Sequence, residues 1–215
     1  MIESATGLIL RTRPLTETSL IVHWLTPELG RLATVAKGAR RPQSPFGGKL
    51  DLFYRCDFSF VRSRHSNLHT LREAVLRDTH AALRRDLLAL QQAAYAVALL
   101  ETATETETPL AVLYELVESW LNHLASAPAR AHLALGFELK VLAELGLTPD
   151  LSQARLSPGT REIAAQLLEQ DWPALARLRL SAPQAAELRH FLEACLVAHL
   201  GRIPRGRTAA LAGES

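Results

Sequence analysis

The sequence predicts an α+β chain. A small five-stranded antiparallel barrel is expected over residues 1–79, an α-helical domain over 80–203 and a flexible tail over 204–215. Three observations carry this. Apolar residues in the early part recur at period two, in short runs broken by Gly, Pro and Asn. Beyond Asp78 the period lengthens to that of a helix. No helical crossover long enough for parallel pairing separates the early runs, so antiparallel pairing is expected.

The elements follow in order. Residues 5–13, A-T-G-L-I-L-R-T-R, make a first strand of aliphatic and β-branched residues ending in two arginines. Pro14 to Thr18 breaks it. Residues 19–26, S-L-I-V-H-W-L-T, make a second strand, and the turn P-E-L-G leads into a third over 31–37. Residues 52–62 alternate, with Tyr54, Cys56, Phe58 and Phe60 on one face and Arg55, Asp57 and Ser59 on the other. Residues 68–76 are read as a fifth strand, although a helix start would fit the same letters. Five short strands closing on themselves give the OB-fold arrangement, which leaves one face and its loops free to bind.

Between the third and fourth strands lies the stretch that points to function. It reads A-K-G-A-R-R-P-Q-S-P-F-G-G-K-L over residues 36–50. Lys37, Arg40, Arg41 and Lys49 supply four positive charges with no carboxylate before Asp51. Gly38, Pro42, Pro45, Gly47 and Gly48 exclude a regular helix or a central strand. A flexible cationic loop at a barrel rim suits a phosphate backbone, because Lys and Arg displace condensed counterions there. Arg11 and Arg13 end the first strand beside it. Phe46 inside this loop could stack on a base or anchor the loop in the barrel.

The helical half shows its own stripes. Leu83, Leu87, Leu90, Ala94 and Val97 keep helical spacing, as do Leu110, Leu113, Tyr114, Val117, Trp120, Leu121 and Leu124. A third helix is expected over 129–146, with Gly146 as its stop. Further helical segments are expected near 160–170, 173–179 and 183–200. The polar run 101–108, E-T-A-T-E-T-E-T, reads as a fraying helix end and a solvated connector.

Composition sets the class. With 48% hydrophobic and 21% charged residues the chain is an ordinary globular protein. Its net charge is only +2, but residues 1–80 hold 12 Lys and Arg against 7 Asp and Glu, and the remainder is mildly acidic. An anionic partner is therefore expected on the first half. Two distant cysteines, Cys56 and Cys195, form no C-x-x-C, so buried reduced thiols are expected rather than a zinc site. His65 and His69 stand four apart without a third ligand in view. No nucleophile elbow, phosphate loop, dinucleotide fingerprint or H-E-x-x-H motif occurs, and nothing marks an enzyme or a cofactor. The opening M-I-E-S-A-T-G is not a secretory signal. No run approaches the ~18 apolar residues of a membrane span, so a cytoplasmic location is expected.

Several stretches resemble the RecO family of bacterial recombination mediators. They are G-L-I-L-R-T-R at 7–13, E-T-S-L-I-V-H-W-L-T at 17–26 and, most specifically, the loop string at 36–50. F-E-L-K-V-L-A-E-L-G-L-T-P-D-L at 137–151 continues the resemblance into the helical half. It implies an N-terminal OB-fold and a C-terminal helical domain. It also implies binding to single- and double-stranded DNA, annealing of complementary strands, and cooperation with RecR, SSB and RecA near the nucleoid. Under that reading Lys37, Arg40 and Arg41 contact DNA, flanked by Arg11, Arg13, Lys49 and Phe46. Arg202 and Arg205, after the last long helix, would hold the acidic tail of SSB. Many family members carry a four-cysteine zinc ribbon after the segment matching T-P-D-L; here the residues that follow contain no cysteine. Two other classes fit the residues: a different OB-fold module that binds RNA, and an adaptor whose basic loop meets an acidic protein surface.

Overall fold

The computed structural model describes residues 2–152 and 154–212 and divides them into two compact units. The first holds residues 2–80 and 105–116; the second holds 81–104 and 117–212, apart from residue 153.

Five strands build the first unit: β1 (Ile2–Pro14), β2 (Leu20–Thr26), β3 (Gly30–Ala36), β4 (Arg55–Val61) and β5 (Leu68–Asp78). Strict alternation of buried and half-buried residues in β3 and β4 follows from the two-residue repeat of a pleated strand with one wet face. The sheet closes as β1-β2-β3-β5-β4. Four of the five seams are antiparallel, but β3 and β5 pair in parallel, Ala33 with Leu68 through Val35 with Thr70. The expectation of a purely antiparallel barrel is corrected here: the sheet is mixed. The reason is the stretch 37–54, which carries the chain across one end of the barrel. β4 then pairs with β1 instead of β3, so β5 returns in the direction of β3 and the closing seam is parallel.

Ile9, Val22, Trp24, Leu32, Cys56, Phe58, Phe60 and Leu71 fill the barrel and are almost wholly buried. Trp24 and Phe58 stack with centroids 4.0 Å apart, and the Trp24 indole N–H donates to Thr34 Oγ1 at 2.8 Å. Each large side chain buried in this way contributes roughly 1.5–3 kcal/mol. Burial also pushes the Cys56 thiol up to about 11, so it stays an unreactive packing group.

The segment expected as a solvated connector docks on this barrel. Glu107 N–H donates to the Arg31 carbonyl at 2.8 Å, and Leu110 N–H to that of Pro27 at 3.0 Å. The Glu107 carboxylate meets Arg62 at 2.7 Å and the buried His69 at 3.1 Å. Gly30, at φ +64, lies so close to Thr108 that a Cβ would sit 1.8 Å from the Thr108 carbonyl oxygen. No other residue fits there.

Helices make the second unit: α1 (Leu87–Ala103), the later part of α2 (Ala111–Ser126), α3 (Ala131–Glu144), α4 (Pro158–Glu169), α5 (Trp172–Leu175), α6 (Ala182–Leu200) and α7 (Arg207–Ala210). Their starts are capped by side chains: Asp86 on α1, Ser157 on α4, Asp171 on α5 and a Ser181–Gln184 capping box on α6. Every residue of α3 from 131 to 139 is buried, which makes it the central helix of the unit. Trp120, Phe137 and Trp172 pack together, with His123 beside them. The flexible tail expected from residue 204 is a second correction. Arg207 is 6% exposed and places its guanidinium on the fully buried Glu138, at 2.7 and 3.1 Å. Gln92 reaches the Ala210 carbonyl at 3.0 Å. A buried carboxylate needs a buried cation, and α7 supplies it.

Candidate nucleic-acid interface

Strand directions decide which residues share the barrel's ends. β1 and β3 run one way and β2 the other. The end of β1, the start of β2 and the end of β3 therefore lie side by side. That end carries the turn 15–19 and the basic stretch 37–54. Two rows cross the outer wall beneath it. Arg11 pairs with His23, which pairs with Ala33; Arg13 pairs with Ile21, which pairs with Val35. Lys37 follows Val35 by two residues and so continues the outer face of β3.

The basic stretch folds as a succession of tight turns rather than an open loop. Amides of Arg41, Ser44, Gly47 and Lys49 donate to the carbonyls of Gly38, Arg41, Ser44 and Phe46, each three residues back, at 3.0–3.1 Å. Gly38 and Gly48 adopt positive φ, +71 and +68, which these turns require. The stretch is also pinned to the neighbouring turn: Arg40 N–H donates to the Thr18 carbonyl at 3.0 Å, and its guanidinium to that of Thr16 at 3.2 Å. Leu15, Thr16, Thr18, Ser19, Val35, Lys37, Gly38 and Arg41 line a shallow cleft of about 430 Å³ there.

The structure thus brings Arg13, Lys37, Arg40 and Arg41 to one end of the barrel, all exposed. Lys49 is half-buried where the stretch meets β4; the thiol of Cys56 donates to its carbonyl at 3.5 Å. Arg11 sits half-buried on the outer wall, one row below Arg13. None of Arg13, Lys37, Arg40, Arg41 and Lys49 has an ion-pair partner among the described residues. Two other cations of the barrel, Arg62 and Arg77, are paired. Arg62 clamps Glu3 at 2.8 Å and holds its carboxyl below the usual range. Thr6 and Arg77 do the same for Asp57. Four exposed cations, Arg13, Lys37, Arg40 and Arg41, thus gather at the end with the turns, where they can meet an anion without first breaking a salt bridge.

Phe46 is corrected as a base-stacking candidate. It is 6% exposed and belongs to the barrel core. An apolar ring flanked by glycines and prolines gains more from the core than from water, so it anchors the stretch. Arg202 and Arg205 lie on exposed backbone between α6 and α7, beyond Gly201, whose φ of +71 ends α6.

Sequence reasoning missed one basic site in the helical unit. Arg130, Arg179, Arg189 and His190 line a cleft together with Glu193 and the apolar Leu178, Leu180, Ala182 and Ala185. The alternating A-R-L-R-L at 176–180 was its only signal, in a stretch too short to stand out as a strand.

The described residues offer no ligand set that fits a zinc ion. Residues 148–160 contain no cysteine, and Cys56 and Cys195 lie in different units. No group of three or more His, Cys, Asp or Glu among the described residues could hold a metal. Nor is any described helix long and apolar enough to cross a membrane.

Residues 1–80 match the family model described as Recombination protein O N terminal, and residues 84–154 match Recombination protein O C terminal. Curated relatives named DNA repair protein RecO include one from Rhodopirellula baltica, 33% identical over 66% of this chain and 53% of its own length. One from Exiguobacterium sibiricum is 32% identical over 71% and 60%, and one from Myxococcus xanthus 34% over 72% and 64%. The matches thus span about half to two thirds of those relatives. Both halves of the chain match the same family in the family's own order, and the chain belongs to the RecO family.

Proposed function

We propose that this chain is a DNA-binding recombination mediator in DNA repair, acting with RecR, SSB and RecA. It binds single- and double-stranded DNA on the barrel, anneals complementary strands and helps RecA load on SSB-coated DNA. The observation that carries this is the group of five unpaired cations at one end of the barrel. Lys37, Arg40 and Arg41 form the centre of the contact, with Arg13, Arg11 and Lys49 around it. Such contacts go to phosphates and are independent of sequence. Two like-charged strands approach each other more easily over a cationic surface, which supports annealing.

For the acidic, hydrophobic tail of SSB, Arg202 and Arg205 supply exposed charge. The cleft of Arg130, Arg179 and Arg189, which leucines and alanines also line, offers a second basic place for such a tail. Annealing of complementary strands coated with SSB tests the proposal. The protein is expected to accelerate it over SSB-coated DNA alone. No acceleration, or tighter binding to RNA than to DNA of matched length, would move the function to an RNA-binding module.

A further inference from the structure

The aromatic residues and the cations of this chain are sorted to opposite sides of its surfaces. Of the six Phe, three Trp and three Tyr, none is exposed, and only Tyr54 and Phe191 are even half-buried. In the barrel, Trp24, Phe46, Phe53, Phe58 and Phe60 are at most 6% exposed. Trp24 even spends its indole N–H inside the barrel, on Thr34. Tyr54 packs against the same core. The outer wall beside the cations offers Ile21, Val35 and His23 instead, and the cleft above it is lined by Leu15, Thr16, Thr18 and Ser19 beside Lys37 and Arg41.

Sequence-independent binders of single strands ordinarily combine a cationic track with aromatic platforms on which the bases stack. This chain has the track, and among the described residues it exposes no Phe, Trp or Tyr ring as a platform. We infer that nucleic acid is held here through its sugar-phosphate backbone alone, with the bases turned to solvent. The inference rests on the DNA-binding reading above and deepens it. The ligand is a polyanionic strand with or without bases. A bound strand keeps its pairing edges free, so a second strand can pair with it without prior release. Double strands, which offer only phosphates and groove edges, bind the same surface.

Competition between a fluorescent oligothymidylate and an abasic strand of equal length tests this on the full chain. The abasic strand is expected to bind within about threefold of the oligothymidylate, because only phosphate contacts are made. Thymines of the bound oligothymidylate are expected to stay as reactive to permanganate as in the free strand. Two stacked bases would alone be worth about thirtyfold in affinity. A loss of that size on removing the bases, or protection of the thymines, would overturn the inference while leaving DNA binding in place. Failure of both strands to bind would overturn it together with the DNA-binding reading.

Discussion

Arg207 and His123 show what single residues decide here. Arg207 is the counter-ion of Glu138, which is fully buried and also accepts from the Tyr95 hydroxyl at 2.5 Å. Burial pushes the Glu138 carboxyl up, and Arg207 and Tyr95 oppose that by stabilising its charge. Arg207→Ala leaves the carboxylate uncompensated, so a loss of about 3–5 kcal/mol in urea unfolding is expected. A loss under 1 kcal/mol would mean that α7 is dispensable. His123 behaves differently. It is buried beside Trp120 and Trp172, and that burial lowers its pKa against the opposing charge of Asp171. The unfolded chain therefore binds the proton more readily. The stability that neutral His123 contributes is complete above the unfolded value of about 6.5 and is lost as pH falls through the lower folded value. Unfolding free energy is expected to drop as pH falls below about 6.5, and His123→Phe is expected to flatten that limb. An unchanged pH profile in the variant would assign the acid limb to other groups.

At the scale of elements, the basic stretch is the informative case. Its charges, glycines and prolines announced an irregular cationic segment, and the structure has one. Nothing in those letters told that it would fold as successive turns with Arg40 pinning it to the 15–19 turn, because such hydrogen bonds depend on where β1 and β2 end. Phe46 could be read two ways, since an aromatic in a basic segment serves equally as platform or anchor; burial decides it. Phe46→Leu is expected to keep both fold and DNA affinity. Phe46→Ala is expected to cost about 3–5 kcal/mol and to weaken DNA binding through loss of order in the stretch. Equal, large losses of DNA affinity in both variants, with fold retained in Phe46→Leu, would restore a stacking role. β3 and β4 were legible because they alternate over one wet face, whereas β1, buried in succession over residues 7–10, was legible from its aliphatic and β-branched letters. The parallel β3–β5 seam was not, because local period carries no information about which distant strand becomes a neighbour. The docking of residues 105–110 was hidden for the same reason: its polar, acidic letters describe a solvated connector, and its partners are backbone carbonyls of Arg31 and Pro27.

For the whole molecule, the two halves were readable as period-two and helical patterns, and the resemblance to one family ran through both. What the letters concealed was the fate of charge. Arg62 and Arg77 look no different in sequence from Arg13 and Arg41, yet the first two are neutralised by Glu3, Glu107 and Asp57 while the second two are not. Long-range pairing, absent from any local window, neutralises Arg62 and Arg77 and leaves Arg13 and Arg41 without an ion-pair partner among the described residues. The end of α7 was misjudged for the same reason, since Glu138 and Arg207 are far apart in the chain.

The central claim, that this end of the barrel holds DNA by its phosphates, is tested most directly by one salt titration. Binding of a fluorescent single strand is followed across salt concentrations for the parent and for Lys37→Ala/Arg40→Ala/Arg41→Ala, with unfolding curves confirming that both are folded. Each neutralised phosphate contributes about −0.7 to the slope of log K against log salt on single strands. The triple variant is expected to bind more weakly on every sequence and to show a slope flatter by roughly 2 units. A folded triple variant with the parent's slope and affinity would contradict the account and place the DNA contact elsewhere on the chain.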